Sequence, residues 1–275
     1  MTHGPADIRG LLADNDLHPS RALGQNFVAD ANTVRRIVRL AEVHRGQPVV
    51  EIGAGLGSLT LALAEAGAEV TAVEIDRHVV PVLRQQVEPH GVRVVEADAL
   101  RLDWPELLGE GAEPWALVAN LPYNVATPLV IRVLEEAPQV ALLLVMVQRE
   151  VGERMAAGAG DEAYGAVSVK IAYWARATVV GRVPPSVFVP RPRVESVLVR
   201  LVRRPDAPWK PGDPSYDRLF AVVRGGFAHR RKMLRRSLAD LVDPETFDQA
   251  GIDPTARAEE LTLEEWERLA GVSAP

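Results

Sequence analysis

The chain has 275 residues, is 47% hydrophobic and contains no cysteine. It is long enough for one large core and a small second domain, and it excludes disulfides, thiolate zinc sites and cysteine nucleophiles. Its net charge of −6 hides an asymmetry: Arg182–Arg236 carries 14 basic and 4 acidic residues, leaving −16 on the rest, which points to a polyanion-binding face on an acidic protein.

Residues 1–20 are polar, contain two prolines and are expected to form a loose arm with one helical turn. They lack a basic segment followed by an apolar run, and no apolar stretch of the chain is long enough to span a bilayer, so a cytoplasmic protein is expected. The spacing of Val34, Ile37, Val38 and Ala41 predicts a helix over 32–43. Strands follow over 48–53, 69–76, 92–100, 115–120 and 139–148, alternating with helices over 56–67, 77–91 and 128–136. That alternation predicts right-handed βαβ units and a parallel sheet covered on both faces. A helix over 164–175 precedes two late strands, 176–183 and 195–204, expected as an antiparallel, hairpin-like pair at the sheet edge. The linker "RPDAPWKPGDPS", with four prolines, closes the first domain at 204, and 205–275 reads as a small helical domain.

Chemistry concentrates at strand ends. "EIGAGLG" (51–57) follows the first strand, and Gly53, Gly55 and Gly57 allow a sharp turn and close approach of a ligand. The dinucleotide fingerprint needs Gly or Ala at position 58, where this chain has Ser58. Glu74 ends the second strand, placed for ribose hydroxyls, and suits NAD or S-adenosylmethionine equally. Asp98, near the end of the third strand, is placed for an adenine amino group, with a helix N-cap as its ordinary alternative. Tips at Gly53, Glu74, Asp98 and Asn120 together favour a methyl-donor pocket.

The fourth strand runs into "NLPYN" (120–124). An exocyclic amine is a weak nucleophile because its lone pair is delocalised into the ring. Fixed acceptors for its N–H groups favour a tetrahedral nitrogen and stabilise the positive charge of attack. The Asn120 side chain and the Leu121 carbonyl suit that task, Pro122 fixes the turn, and Tyr123 offers a stacking face. A base inside a helix could not reach such a site, so the target must be unpaired or flipped out.

With "LGQNFVAD", "EIGAGLGSLT", "VEID", "NLPYN", "VMVQREVGERM", "VFVPRPRVESVLVRL" and "FAHRRKMLRRSL" on the page, the chain resembles the small-subunit (16S) ribosomal RNA adenine N6,N6-dimethyltransferase family over about residues 20–240. The resemblance implies a class I, Rossmann-like methyltransferase fold with a seven-stranded, mostly parallel sheet and an all-α C-terminal domain. It implies dimethylation of two adjacent adenines near the 3′ end of 16S rRNA during small-subunit assembly, by a monomer using S-adenosylmethionine. It also implies donor contacts from Asn26 and Val28, where the family usually has Leu at position 28, alongside Gly53, Gly55, Glu74, Asp98 and Asn120. Phe188 would stack on the adenine opposite Tyr123, with an ordinary core ring beside the prolines as its alternative.

"HRRKMLRR" (229–236) is expected to set Arg231, Lys232 and Arg235 on one helix face for RNA phosphates. His78, His90 and His229 lack metal-ligand spacing, so no metal is expected. The alternatives are a 23S rRNA adenine methyltransferase conferring antibiotic resistance and a non-catalytic assembly factor. A NAD oxidoreductase is weakest, given Ser58.

Overall fold

A computed structural model describes residues 2–271 except Arg21, Glu110, Ala112 and Arg230. Helix α1 (Pro5–Asp14) leads through strand β1 (Phe27–Val28) to α2 (Ala31–Ala41). Then follow β2 (Pro48–Ile52), α3 (Ser58–Glu65), β3 (Glu69–Glu74), α4 (Val80–Val87), β4 (Arg93–Glu96), α5 (Trp104–Leu108), β5 (Trp115–Asn120), α6 (Ala126–Glu136) and β6 (Val140–Gln148). The chain continues with α7 (Arg149–Ala156), α8 (Ala166–Trp174), β7 (Ala175–Val183), β8 (Phe188–Val189) and β9 (Ser196–Arg203). Helices α9 (Pro214–Ala228), α10 (Leu234–Ser237), α11 (Pro244–Ala250) and α12 (Leu263–Leu269) complete it.

The main sheet has seven strands in the order β4-β3-β2-β5-β6-β9-β7. Strands β2 to β6 pair in parallel, and β9 runs antiparallel to β6. This is the class I methyltransferase, Rossmann-like sheet, with the two late strands side by side at one edge as the sequence predicts. After β2 the chain builds outward through β3 and β4, then returns to lay β5 on the other side of β2. Side chains at the carboxyl ends of β2 and β5 therefore flank the crevice where open α/β sheets bind ligands.

The central strands are apolar on both faces: Val49, Val50, Ala72, Val118 and Leu144 are all buried. Such near-continuous runs belong to a parallel sheet covered by helices. On one face, α2 brings Val34, Ile37 and Ala41 into the core with Leu63, Leu83 and Val87.

Two expectations are corrected. The N-terminal arm is not loose. Ile8 and Leu12 of α1 are buried with Phe27, Leu56, Val79 and Val82, and the His3 ring nitrogen lies 3.1 Å from the Leu56 carbonyl. Ile8, Leu11 and Leu12 share a helical face, and Pro5 at the first turn suits helix initiation rather than opposing it. The second correction concerns the units. The second unit takes up 204 onward, but 153–177 also cluster with the C-terminal helices rather than with the sheet unit. The reason is aromatic: Tyr173 packs edge-on against Trp174, Tyr216 and Phe220, and its hydroxyl both donates to the Trp209 carbonyl and accepts from the Trp209 amide, at 2.8 Å each.

Among the described residues no helix is long and apolar enough to cross a membrane.

Candidate active site

A cleft opens at the carboxyl ends of β2, β3, β4 and β5, lined by Gly53, Glu74, Asp98 and Asn120 among others. The four strand tips singled out from sequence thus meet in one place. Gly55 also lines it, at φ 57°, and a Cβ there would stand 2.9 Å from the Phe27 ring. Only glycine fits both the backbone conformation and the space.

The Glu74 carboxylate is anchored before any ligand arrives. Its Oε2 accepts from the Gly55 amide at 2.8 Å, and Oε1 accepts from the amides of Ile75 (2.9 Å) and Asp76 (3.0 Å). A carboxylate has about four lone-pair sites, so these bonds leave room for about one more donor. Burial pushes its pKa above the usual value, while the three backbone donors oppose that. Asp98 takes the Leu100 amide on Oδ1 (2.9 Å) and lies 3.6 Å from Arg101 through Oδ2. It begins a turn rather than capping a helix; the next helix, α5, is capped by Asp103.

A third carboxyl was not assigned a role from sequence. Glu51, just before the glycine loop, is 2% exposed and lines the same cleft. Burial pushes its pKa up to about 8; the Thr60 hydroxyl works against that, and Glu74 adds to it. Glu51 Oε2 and Thr60 Oγ1 nonetheless complete no hydrogen bond. The sequence signal was its place at the buried end of an apolar strand, where a carboxyl has no ordinary use.

The cleft therefore offers three carboxyls, one with an orphaned oxygen, to a ligand. S-adenosylmethionine presents a cationic amine, ribose hydroxyls and an adenine amine, all donors, and this acceptor set fits it.

Asn26 and Val28 also line the cleft. The Asn26 contribution to its neighbour is through main chain: its carbonyl accepts from Asn120 Nδ2 at 2.9 Å, while its own Nδ2 donates to the Gly24 carbonyl at 3.1 Å. Because a carbonyl can only accept, the Asn120 amide is held with its NH₂ toward Asn26, and its Oδ1 accepts no hydrogen bond from the described residues. Pro122 also lines the cleft. Leu121 is buried and its amide donates to the Met146 carbonyl at 3.1 Å, fixing the turn to β6. Tyr123 is half-buried, with its hydroxyl 2.7 Å from Ser196 Oγ.

Phe188 departs from expectation. It pairs with Val28 across β1 and β8, is 3% exposed, and packs in the core among Val28, Val34, Leu144 and Val183. Its ring is covered by these residues. Strand alternation in β8 turns it inward, so here it braces β1 from behind.

Arg231, Lys232 and Arg235 also do not share a helix face. Helix α9 ends at Ala228, residues 231–232 form a turn, and Met233 bridges to Arg257 before the short α10 begins at Leu234. Leu234, buried in the helical unit, and the bond from its amide to the Ala256 carbonyl (2.8 Å) redirect the chain. Arg231, Lys232 and Arg235 are all exposed, and Arg230 lies outside the described residues. Among the described residues no group of three or more His, Asp or Glu side chains has metal-binding geometry.

The sequence matches the model of the ribosomal RNA adenine dimethylase family over residues 18–274. It is 43% identical to the ribosomal RNA small subunit methyltransferase A of Corynebacterium glutamicum, covering 98% of this chain and 94% of the relative. The proteins of the same name from Cutibacterium acnes and Thermobifida fusca are each 47% identical, over 96% and 97% of this chain and 92% and 94% of theirs. Among solved structures, the 23S rRNA methyltransferase ErmE is similar at TM-score 0.69 and 28% identity, covering 90% of this chain and 98% of its own. A dimethyladenosine transferase from Plasmodium falciparum shares the fold at TM-score 0.74 and 21% identity, covering 88% and 98%. The chain belongs to the ribosomal RNA adenine dimethylase family.

Proposed function

We infer that this protein transfers methyl groups from S-adenosylmethionine to N6 of adenines in small-subunit ribosomal RNA. The target is two adjacent adenines near the 3′ end of 16S rRNA, each carried to N6,N6-dimethyladenosine during subunit assembly in the cytoplasm. The observation that carries the chemistry is the Asn120 amide, pinned through its NH₂ to the Asn26 carbonyl with Oδ1 left free beside the carboxyl-lined cleft.

The donor supplies an electrophilic methyl on a sulfonium. Gly53, Gly55, Glu74 and Asp98 bind it, with Asn26 and Val28 closing the near side. Oδ1 of Asn120 and the Leu121 carbonyl accept the adenine N–H groups, which draws the nitrogen lone pair out of the ring. No strong base is needed, because the amine proton becomes acidic only as the methyl arrives. Tyr123 stacks on the base. Its phenol, with a pKa raised by burial, stays neutral and acts through its ring.

Dimethylation requires that the first methyl can turn away from the donor. After one transfer, rotation about C6–N6 turns the new methyl away, and one acceptor still holds the remaining hydrogen. Leu121 contributes only backbone there, since its side chain is buried. A small-subunit target is favoured over a 23S one by identities of 43–47% to small-subunit relatives against 28% to the 23S enzyme.

The test is incubation of purified 30S and 50S subunits with labelled donor, followed by nucleoside mass spectrometry. Dimethyladenosine confined to 16S rRNA is expected. Label in 23S rRNA, or monomethyladenosine as the end point, would replace this reading. Donor binding without any transfer would make the protein an assembly factor.

A further inference from the structure

Ser196 opens β9 and is fully buried, at 0% exposure, with Oγ 2.7 Å from the Tyr123 hydroxyl. The two residues lie 73 positions apart and meet because β5, which Tyr123 follows, and β9, which Ser196 opens, both pair with β6. Ser196 stands opposite Gln148 in the antiparallel β6–β9 ladder, and the preceding Glu195 carbonyl accepts from the Arg149 amide at 3.0 Å. On the other side, Asn120 stands opposite Met146, and the Leu121 amide donates to the Met146 carbonyl. The hydroxyl pair thus ties the end of NLPYN to a strand whose own position is fixed by the sheet.

A hydroxyl buried in a strand costs free energy unless it is bonded, and the recorded partner of this one is Tyr123. For the ring, the bond does two things. The phenol oxygen lies on the axis of ring rotation, so anchoring it stops the ring swinging about χ1. Either hydroxyl can donate, and both the hydrogen and the in-plane lone pair of a phenol oxygen lie near the ring plane, so a partner in a fixed place also favours one tilt about χ2.

We propose that Ser196 is a positioning residue for methyl transfer, its hydroxyl holding the Tyr123 ring at the position and tilt on which the target adenine stacks. The proposal rests on the reading of Tyr123 as the adenine platform. It also gives the Phe188–Ser196 segment a role in the reaction through its last residue rather than its first.

Full-length wild type, Ser196→Ala, Tyr123→Phe and the double variant are compared by single-turnover transfer at saturating donor and RNA, with donor affinity measured by calorimetry. Each single variant is expected to transfer about tenfold more slowly, the effect of losing one buried hydrogen bond. Donor affinity stays unchanged, and the double variant is no slower than the slower single. A wild-type rate in Ser196→Ala, or rate losses that multiply in the double variant, would overturn the proposal. If Ser196→Ala fails to fold, Tyr123→Phe decides, since it leaves β9 intact: the same slowing at unchanged donor affinity supports the proposal, and a wild-type rate sinks it. Wild type inactive on adenine would instead remove the functional reading itself.

Discussion

Replacing Glu51 by Gln keeps the shape of the side chain and removes its charge. In the folded protein burial raises the Glu51 pKa from 4.5 to about 8. The native state therefore holds a proton that the unfolded chain has already released across that interval. Stability falls with pH wherever the native state binds more protons, so the wild type weakens from about pH 4.5 upward and levels off above about pH 8. At about 1.4 kcal/mol per pH unit the full cost is roughly 5 kcal/mol, most of it incurred by about pH 7. The Gln variant pays none of this. It should gain roughly 3 kcal/mol on the wild type between about pH 5.5 and about pH 8.5. Urea unfolding of both proteins at the two pH values, without donor, measures the difference. A gap that does not change with pH would mean that Glu51 titrates like a hydrated carboxylate and that its orphaned oxygen is satisfied by solvent.

Two further outcomes discriminate between roles. Phe188→Ala should destabilise by about 3–5 kcal/mol as a core truncation, while Phe188→Leu keeps transfer near wild type; a stably folded Leu variant that loses transfer by 10-fold or more would restore Phe188 as a stacking face. Replacing Arg231, Lys232 and Arg235 by Ala should flatten the log–log salt dependence of RNA binding by roughly 0.7–0.9 per lost phosphate contact, with donor affinity intact. An unchanged slope would move the RNA contact elsewhere, and Arg191 and Arg193, exposed and without a recorded hydrogen bond or ion pair, are the next pair to replace.

The sheet was legible because parallel strands leave the plainest trace: short apolar runs ending in Gly, Glu, Asp and Asn at one edge. β5 was read with the same bounds that the structure gives it, Trp115–Asn120. What escaped were features decided by tertiary contact. The two-residue strands β1 and β8 carry no periodicity of their own and exist only because they pair with each other. The inward turn of Phe188 follows from that pairing. The run after Ala228 has helical composition throughout, yet the Met233–Arg257 bridge interrupts it. Likewise 153–177 are contiguous with the sheet segment in sequence, and tertiary contacts such as the Tyr173 aromatic cluster and the Tyr164 bond to the Leu261 carbonyl show which unit they join. At the site, charged and amide residues at strand ends were readable from position. The Ser196–Tyr123 bond was not, because it joins residues 73 positions apart.

The bond from Asn120 to Asn26 bears on how freely these positions can drift over evolutionary time. Since the partner atom is a main-chain carbonyl, a substitution at 26 leaves it in place, and the orientation of the Asn120 amide is insured against change there. Position 120 has no such insurance. Aspartate, one base change away in the codon, would set a carboxylate oxygen against that carbonyl and lose the only group able to hold the side chain in register. Tolerance is thus distributed unequally across a single contact: it constrains the side chain at 120 and leaves the side chain at 26 to answer only for its bond to Gly24 and its place in the cleft.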